Sequence, residues 1–130
     1  MTPDELIDGW QAAWSGKDSS AFAPLCCPQI HYEDPLTGEP LQGPAELGRH
    51  AARLWSAFPD ARMEQTGERL SDGRYVAAPC KLLATHKAPL EGLPPTNRFV
   101  VVQCVFYCEL EQGLLLRVRA FFDLYDPAVQ

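Results

Sequence analysis

The chain has 130 residues, 46% of them hydrophobic and 22% charged, with a formal net charge of −6. That length suits a single domain, residues 1–130, with one core. The 11 Lys and Arg residues are scattered singly, which leaves no basic patch for nucleic acid, and no window approaches the ~18–20 apolar residues of a membrane span.

The start, Met1-Thr2-Pro3-Asp4-Glu5, is acidic and turn-like, unlike a signal peptide. Thr2 and Glu5 make a T-x-x-E capping box around Pro3, so a helix opens there. Leu6, Ile7, Trp10, Ala13 and Trp14 share one face at helical spacing, and Ser15-Gly16-Lys17 ends it. Asp18 caps a short second helix through Phe22 and Leu25. Gln29 to Asp34 reads as a strand, with Ile30, Tyr32 and Asp34 on one face and His31 and Glu33 on the other. Pro35 to Gly43 is a Pro- and Gly-rich loop. Pro44 opens a third helix whose stripe is Leu47, Ala51, Leu54, Trp55 and Phe58, and Pro59 closes it.

From residue 60 the pattern turns to β. Segments run roughly from Ala61 to Leu70, Arg74 to Lys87, Asn97 to Leu110 and Leu114 to Tyr125, with turns at Ser71-Asp72-Gly73 and Glu111-Gln112-Gly113. A stiff loop, Ala88 to Thr96, separates the second from the third. Helices followed by an antiparallel meander predict an α+β fold with the helices on one face of a curved sheet. In the last strand Leu114, Leu116, Val118, Ala120, Phe122 and Leu124 alternate with Leu115, Arg117, Arg119, Phe121, Asp123 and Tyr125. Apolar residues on both faces point to a homodimer through the outer sheet face.

Five cysteines without a C-x-x-C read mostly as small buried hydrophobes in a reducing, cytoplasmic setting. Cys104 and Cys108 point the same way on their strand but lie roughly 13 Å apart, too far to share a metal. His31, His50 and His86 have no metal-site spacing, and no nucleophile elbow, phosphate loop or dinucleotide motif is present. Neither a metal nor a cofactor is expected.

What remains is ionisable residues inside apolar segments, which call for explanation. Asp34 is either a turn aspartate before Pro35 or a general base at a pocket mouth, its pKa raised by apolar neighbours. His86 shares a face with Val76, Ala78, Cys80, Leu82 and Ala84, as a core residue or as a proton-transfer group. Asp123 has Arg117 and Arg119 on its face, which suits an exposed ion pair, and Phe121 and Phe122 beside it, which suit burial. Tyr32 could orient a ligand by hydrogen bond. Trp14, Trp55, Phe58 and the loop from Leu90 through Leu93 to Pro95 would shape the pocket, though the tryptophans equally suit core packing.

The segments Trp10 to Asp18, Tyr32-Glu33-Asp34-Pro35, Phe58-Pro59-Asp60, Thr85-His86, Gly92-Leu93-Pro94-Pro95-Thr96 and Phe121-Phe122-Asp123 come in an order that resembles SnoaL-like polyketide cyclases of the nuclear transport factor 2-like superfamily. The resemblance implies a cone-shaped sheet wrapped around three helices, a deep pocket for a hydrophobic small molecule, and frequent dimers. It further implies ring closure by intramolecular aldol condensation without metal or cofactor. Asp123 would then be the acid/base, with His86 in the pocket. Arg119 could polarise a carboxylate or bind an oxyanion, beside Phe121.

Tyr32 to Pro40 also resembles the segment that carries the general base of ketosteroid isomerases, with Asp34 on that base. Their oxyanion tyrosine corresponds roughly to Trp10 and their protonated aspartate falls near Val105, so the isomerase site is incomplete. An epoxide-hydrolase-like relay ranks third, since the strand from Phe99 to Leu110 has no acidic residue before Glu109 and no arginine. A non-catalytic binding or dimerisation module is the alternative from another class.

Overall fold

The computed structural model describes residues 1–90 and 94–122. Helix α1 spans Pro3–Gly16 and opens on the expected box: Thr2 Oγ1 accepts the Glu5 N–H at 3.1 Å and Glu5 Oε1 accepts the Thr2 N–H at 2.9 Å. Lys17, at φ 62°, ends it in the left-handed conformation. A 3-10 helix follows over Ser19–Leu25, its first turn held by Asp18, which accepts the Ser20 N–H at 3.0 Å. Helix α2 spans Gly43–Ala57. It crosses the 3-10 helix so closely that a Cβ on Gly48 would lie 2.7 Å from the Ser19 carbonyl oxygen. Only glycine allows that approach.

The strands are β1 (Cys26–Glu33), β2 (Leu41–Gln42), β3 (Arg62–Gln65), β4 (Leu70–Ser71), β5 (Tyr75–Thr85), β6 (Phe99–Glu111) and β7 (Leu114–Phe122). They form one strongly curved sheet in the order β2-β1-β7-β6-β5-β3, with β4 also on β5. β1 runs parallel to β7, and the other pairs are antiparallel.

The segment from Ala61 to Leu70, read as one strand, is two. The β3–β5 ladder stops at Gln65 opposite Cys80 and pairing resumes at Leu70 opposite Ala77. Between them lies Pro79, whose carbonyl accepts the Thr66 N–H at 3.2 Å but which has no N–H to return. A proline facing the edge therefore interrupts the ladder.

Strand β6 alternates cleanly: Val100, Val102, Cys104, Phe106, Cys108 and Leu110 are buried while Phe99, Val105 and Tyr107 face out. Strand β7 keeps the parity read from its sequence from Arg117 onward but not before it. Glu109 pairs with Arg117 but Leu110 pairs with Leu115, so Leu116 is an extra residue in the strand. This bulge puts Leu115 on the same buried face as Val118 and Ala120, and leaves Arg117, Arg119 and Phe121 outside.

The core lies between the helices and the concave face of the sheet. Trp10, fully buried, has the rings of Trp14, Phe22, Tyr32 and Phe106 within 5.9 Å of its own. These contacts tie α1, the 3-10 helix, β1 and β6 together, and edge-to-face aromatic pairs add to the burial that drives them. Among the described residues no helix is long and apolar enough to cross a membrane.

Candidate active site

One cavity, of ≈ 40 Å³, opens between α1, α2 and the inner face of the sheet. Trp14, Tyr32, Trp55, Phe58, Val102, Cys104 and Phe106 build its buried walls. The half-buried Leu36, Leu54, Met63, Leu82 and Phe122 form its rim. Among the described residues Asp34 is the one carboxylate in this apolar lining.

Asp34 is placed by the end of β1 and the turn that follows. Its main-chain carbonyl accepts the Thr37 N–H at 3.2 Å, and Oδ1 accepts the Leu36 N–H at 2.7 Å. It is therefore a turn aspartate and a pocket residue at once: the turn aims its carboxylate inward, where the side chain has no exposed surface. Oδ2 accepts the Tyr32 hydroxyl at 2.7 Å and lies 2.8 Å from His50 Nε2.

Burial pushes the Asp34 pKa up, but the hydrogen bond from His50 and the attraction of that ring when protonated, with the hydrogen bonds from Tyr32 and the Leu36 N–H, together outweigh it and leave the group below the ordinary carboxylate value. This corrects the expectation of a raised pKa, because the sequence shows apolar neighbours and not the donors the fold brings in. Tyr32 is pushed well above the ordinary phenol value, by burial first and then by the Asp34 charge. Its hydroxyl is thus a donor and no base.

His50 is the member of the site that sequence reasoning missed. It sits on α2 with its side chain 2% exposed, its ring 5.9 Å from that of Tyr32. Its position in the stripe Leu47-His50-Ala51-Leu54 is the signal that could have found it: a histidine at an inward-facing helical position needs a buried partner.

The other expected site residues fall in several places. Trp14, Trp55 and Phe58 line the cavity, with the Trp55 indole N–H donating to the Trp14 carbonyl at 2.8 Å. The Trp14 indole N–H is buried and has no partner among the described residues. His86 is buried against Phe58, ring to ring at 5.1 Å, and lies outside the cavity lining; its Nε2 likewise has no described partner. Leu90 is buried but is also not on the wall.

Arg119 and Phe121, expected at the ligand, lie on the outer face instead. Arg119 pairs with Glu33 at 2.6 Å with its side chain 56% exposed, and its guanidinium covers the Phe121 ring. The parity of β7 after its bulge sends both outward. Asp123 and Leu93 lie outside the described residues.

The five cysteines are free and buried. Cys104, on the cavity wall, has its pKa pushed well up by its hydrogen bond with Cys80 and by burial, so it presents a thiol and not a thiolate. Among the described residues no three His, Cys, Asp or Glu side chains gather as a metal site would require.

The model of the SnoaL-like polyketide cyclases matches residues 4–130 of this sequence. The chain belongs to that family. Solved structures agree on the fold. A SnoaL-like polyketide cyclase from Agrobacterium tumefaciens is 19% identical with a TM-score of 0.79, over 95% of this chain and 92% of its own. IdmH from Streptomyces antibioticus is 21% identical at 0.81, over 95% and 93%. A protein with a ketosteroid isomerase-like fold from Catenulispora acidiphila, solved with trimethylamine, is 19% identical at 0.80, over 95% and 88%. No curated protein matches the chain.

Proposed function

We propose that this SnoaL-like protein is a cofactor-independent acid/base enzyme acting on a hydrophobic, carbonyl-bearing small molecule through an enolate, with Asp34 as the base. The observation that carries this reading is a carboxylate without exposed surface, set among three donors in an otherwise apolar cavity. A carbon beside a carbonyl, held against Asp34, gives its proton to the carboxylate while the electron pair moves onto the carbonyl oxygen. In a cyclase the enolate carbon then attacks a second carbonyl of the same molecule, whose oxygen takes up the proton. In an isomerase the proton returns to a different carbon. Either course leaves Asp34 ionised for the next turnover.

The lowered pKa of Asp34 narrows the substrate class. A weak base removes protons only from carbons already acidified, such as the carbon between two carbonyls. Trp14 lines the cavity and its indole N–H is buried without a partner among the described residues, so it is the donor assigned to the substrate oxygen. A buried donor left unpaired costs about 1–3 kcal/mol, which a ligand oxygen would offset. The narrow cavity suits insertion of the acidic end of the ligand, with the rest against the Leu54 and Met63 rim.

The test is α-proton exchange followed by NMR in deuterated buffer, with a panel of β-dicarbonyl and enone ketones. Exchange catalysed by the wild type should fall about 10²–10⁴-fold in Asp34→Asn. Equal exchange by both proteins would remove Asp34 as the base, and none above buffer with any compound would leave a binding protein.

A homodimer through the outer sheet face is part of this proposal. Phe99, Val105, Tyr107 and Phe121 are exposed there, beside the pairs Glu33–Arg119 and Glu109–Arg117. A face with apolar rings and both signs of charge is complementary to its own copy about a two-fold axis.

A further inference from the structure

Arg53 follows His50 by one turn of α2, and its Nη2 lies 2.9 Å from His50 Nδ1. Residues three apart on a helix face each other, which explains the contact. Every nitrogen of an arginine is a donor, and its guanidinium keeps its proton in proteins. Nδ1 must therefore accept. A ring whose Nδ1 accepts carries its single proton on Nε2, the nitrogen 2.8 Å from Asp34 Oδ2. This geometry suits one tautomer from both edges, with Nε2–H donating to the carboxylate and Nδ1 receiving from Arg53.

This has a chemical consequence for Asp34. A neutral donor leaves the carboxylate able to take a proton. An imidazolium in the same place would turn the pair into a buried ion pair, and its charge is one of the causes that weaken the base. Among the described residues, the titratable and charged groups against the imidazole are Asp34 and Tyr32, from β1 and the turn after it, and Arg53 from its own helix. Of these, the Asp34 charge favours a second proton on the ring, the neutral Tyr32 phenol is indifferent to it, and Arg53 blocks the nitrogen that would receive it.

We propose that Arg53 is a positioning residue that keeps His50 unprotonated at Nδ1, so that Asp34 stands as a free carboxylate base and not as half of an ion pair. The inference rests on the reading of Asp34 as base for its catalytic meaning only. The protonation state of His50 is measured without substrate, so it can be determined even in a protein that catalyses no exchange.

The experiment is 15N NMR of the histidine rings in the full chain, from pH 5.5 to 8.5, with His50 assigned by His50→Gln. At pH 7 the wild type should show Nδ1 unprotonated and Nε2 protonated. Arg53→Met should move Nδ1 to the protonated position at the same pH. Arg53→Lys, also a charged donor with no acceptor, should keep the wild-type pattern. Arg53 is an exposed residue, so amide spectra unchanged outside its neighbours will show that the variants are folded. In the exchange assay Arg53→Met should lose about tenfold or more at pH 7, with most of it restored by Lys. An imidazolium in the wild type at pH 7, or an Arg53→Met ring identical to it, would overturn the proposal. Loss of the pattern in Arg53→Lys would assign the effect to packing and overturn the positioning role.

Discussion

Tyr32→Phe removes one oxygen atom from the centre of the site and nothing else. The ring stays in its aromatic surroundings, 5.9 Å from Trp10 and 5.8 Å from Trp14. Asp34 Oδ2 loses its 2.7 Å donor, while the carboxylate keeps those from His50 and the Leu36 N–H. Hydrogen bonds to charged groups contribute about 1.5–3 kcal/mol, and the Asp34 side chain has no exposed surface across which water could replace the lost one. At pH 7 the variant should therefore be about 1.5–3 kcal/mol less stable. In urea that is a fall in midpoint of roughly 1–2 M if m is near 1.5 kcal/mol/M.

The pH dependence separates this bond from simple packing. The Asp34 pKa is lowered in the folded state, so its contribution to stability is fully present above the unfolded carboxylate value and is lost as pH falls through the folded one. The gap between wild type and Tyr32→Phe should be widest at neutral pH and shrink below the ordinary carboxylate range. Urea titrations at pH 7 and pH 3 measure both ends. A gap under about 0.5 kcal/mol at pH 7, or one equal at the two pH values, would refute the assignment of Tyr32 as a donor to ionised Asp34.

Gly48→Ala should destabilise the protein by about 1–3 kcal/mol in thermal or urea unfolding, because the new methyl meets the Ser19 carbonyl at 2.7 Å. On an open helix the same change would stabilise by about 1 kcal/mol, so the sign alone decides. Phe121→Glu puts a charge into the exposed apolar face of β7. By sedimentation velocity the wild type should run as a dimer and the variant as a monomer of unchanged fold, and a monomeric wild type would sink the proposed interface.

How much was legible depends on how local each signal was. The capping box at Thr2 and Glu5, the stripe through Trp10 and Trp14, and the alternation of Ile30 and Tyr32 with His31 and Glu33 in β1 are local, and each appears as read. The split of β3 from β4 needed knowledge of which edge Pro79 faces. The bulge at Leu116 could not be read from alternation, since alternation presumes the unbroken parity that a bulge interrupts. Leu115 was misplaced by that route, whereas Arg119 and Phe121 already stood opposite Val118 and Ala120 in the sequence pattern. At the site, Asp34 stood out because a carboxylate ends an apolar strand. His50 did not, because its partner lies in another element and a lone histidine in a helical stripe has no meaning until that partner is known.

The parallel pairing of β1 with β7, Tyr32 beside Val118, ties an early part of the chain to a late one. During synthesis α1, the 3-10 helix, β1 and α2 all leave the ribosome before the strand that completes the sheet beside them. Until β7 arrives, β1 has only the two residues of β2 for a neighbour, and the aromatic cluster around Trp10 lacks Phe106 until β6 is in place. Contacts so distant in sequence form slowly. The pocket is consequently among the last features of the fold to be assembled, and the nascent chain carries its most apolar helical faces uncovered for most of its translation, the interval in which a chaperone would have most to bind.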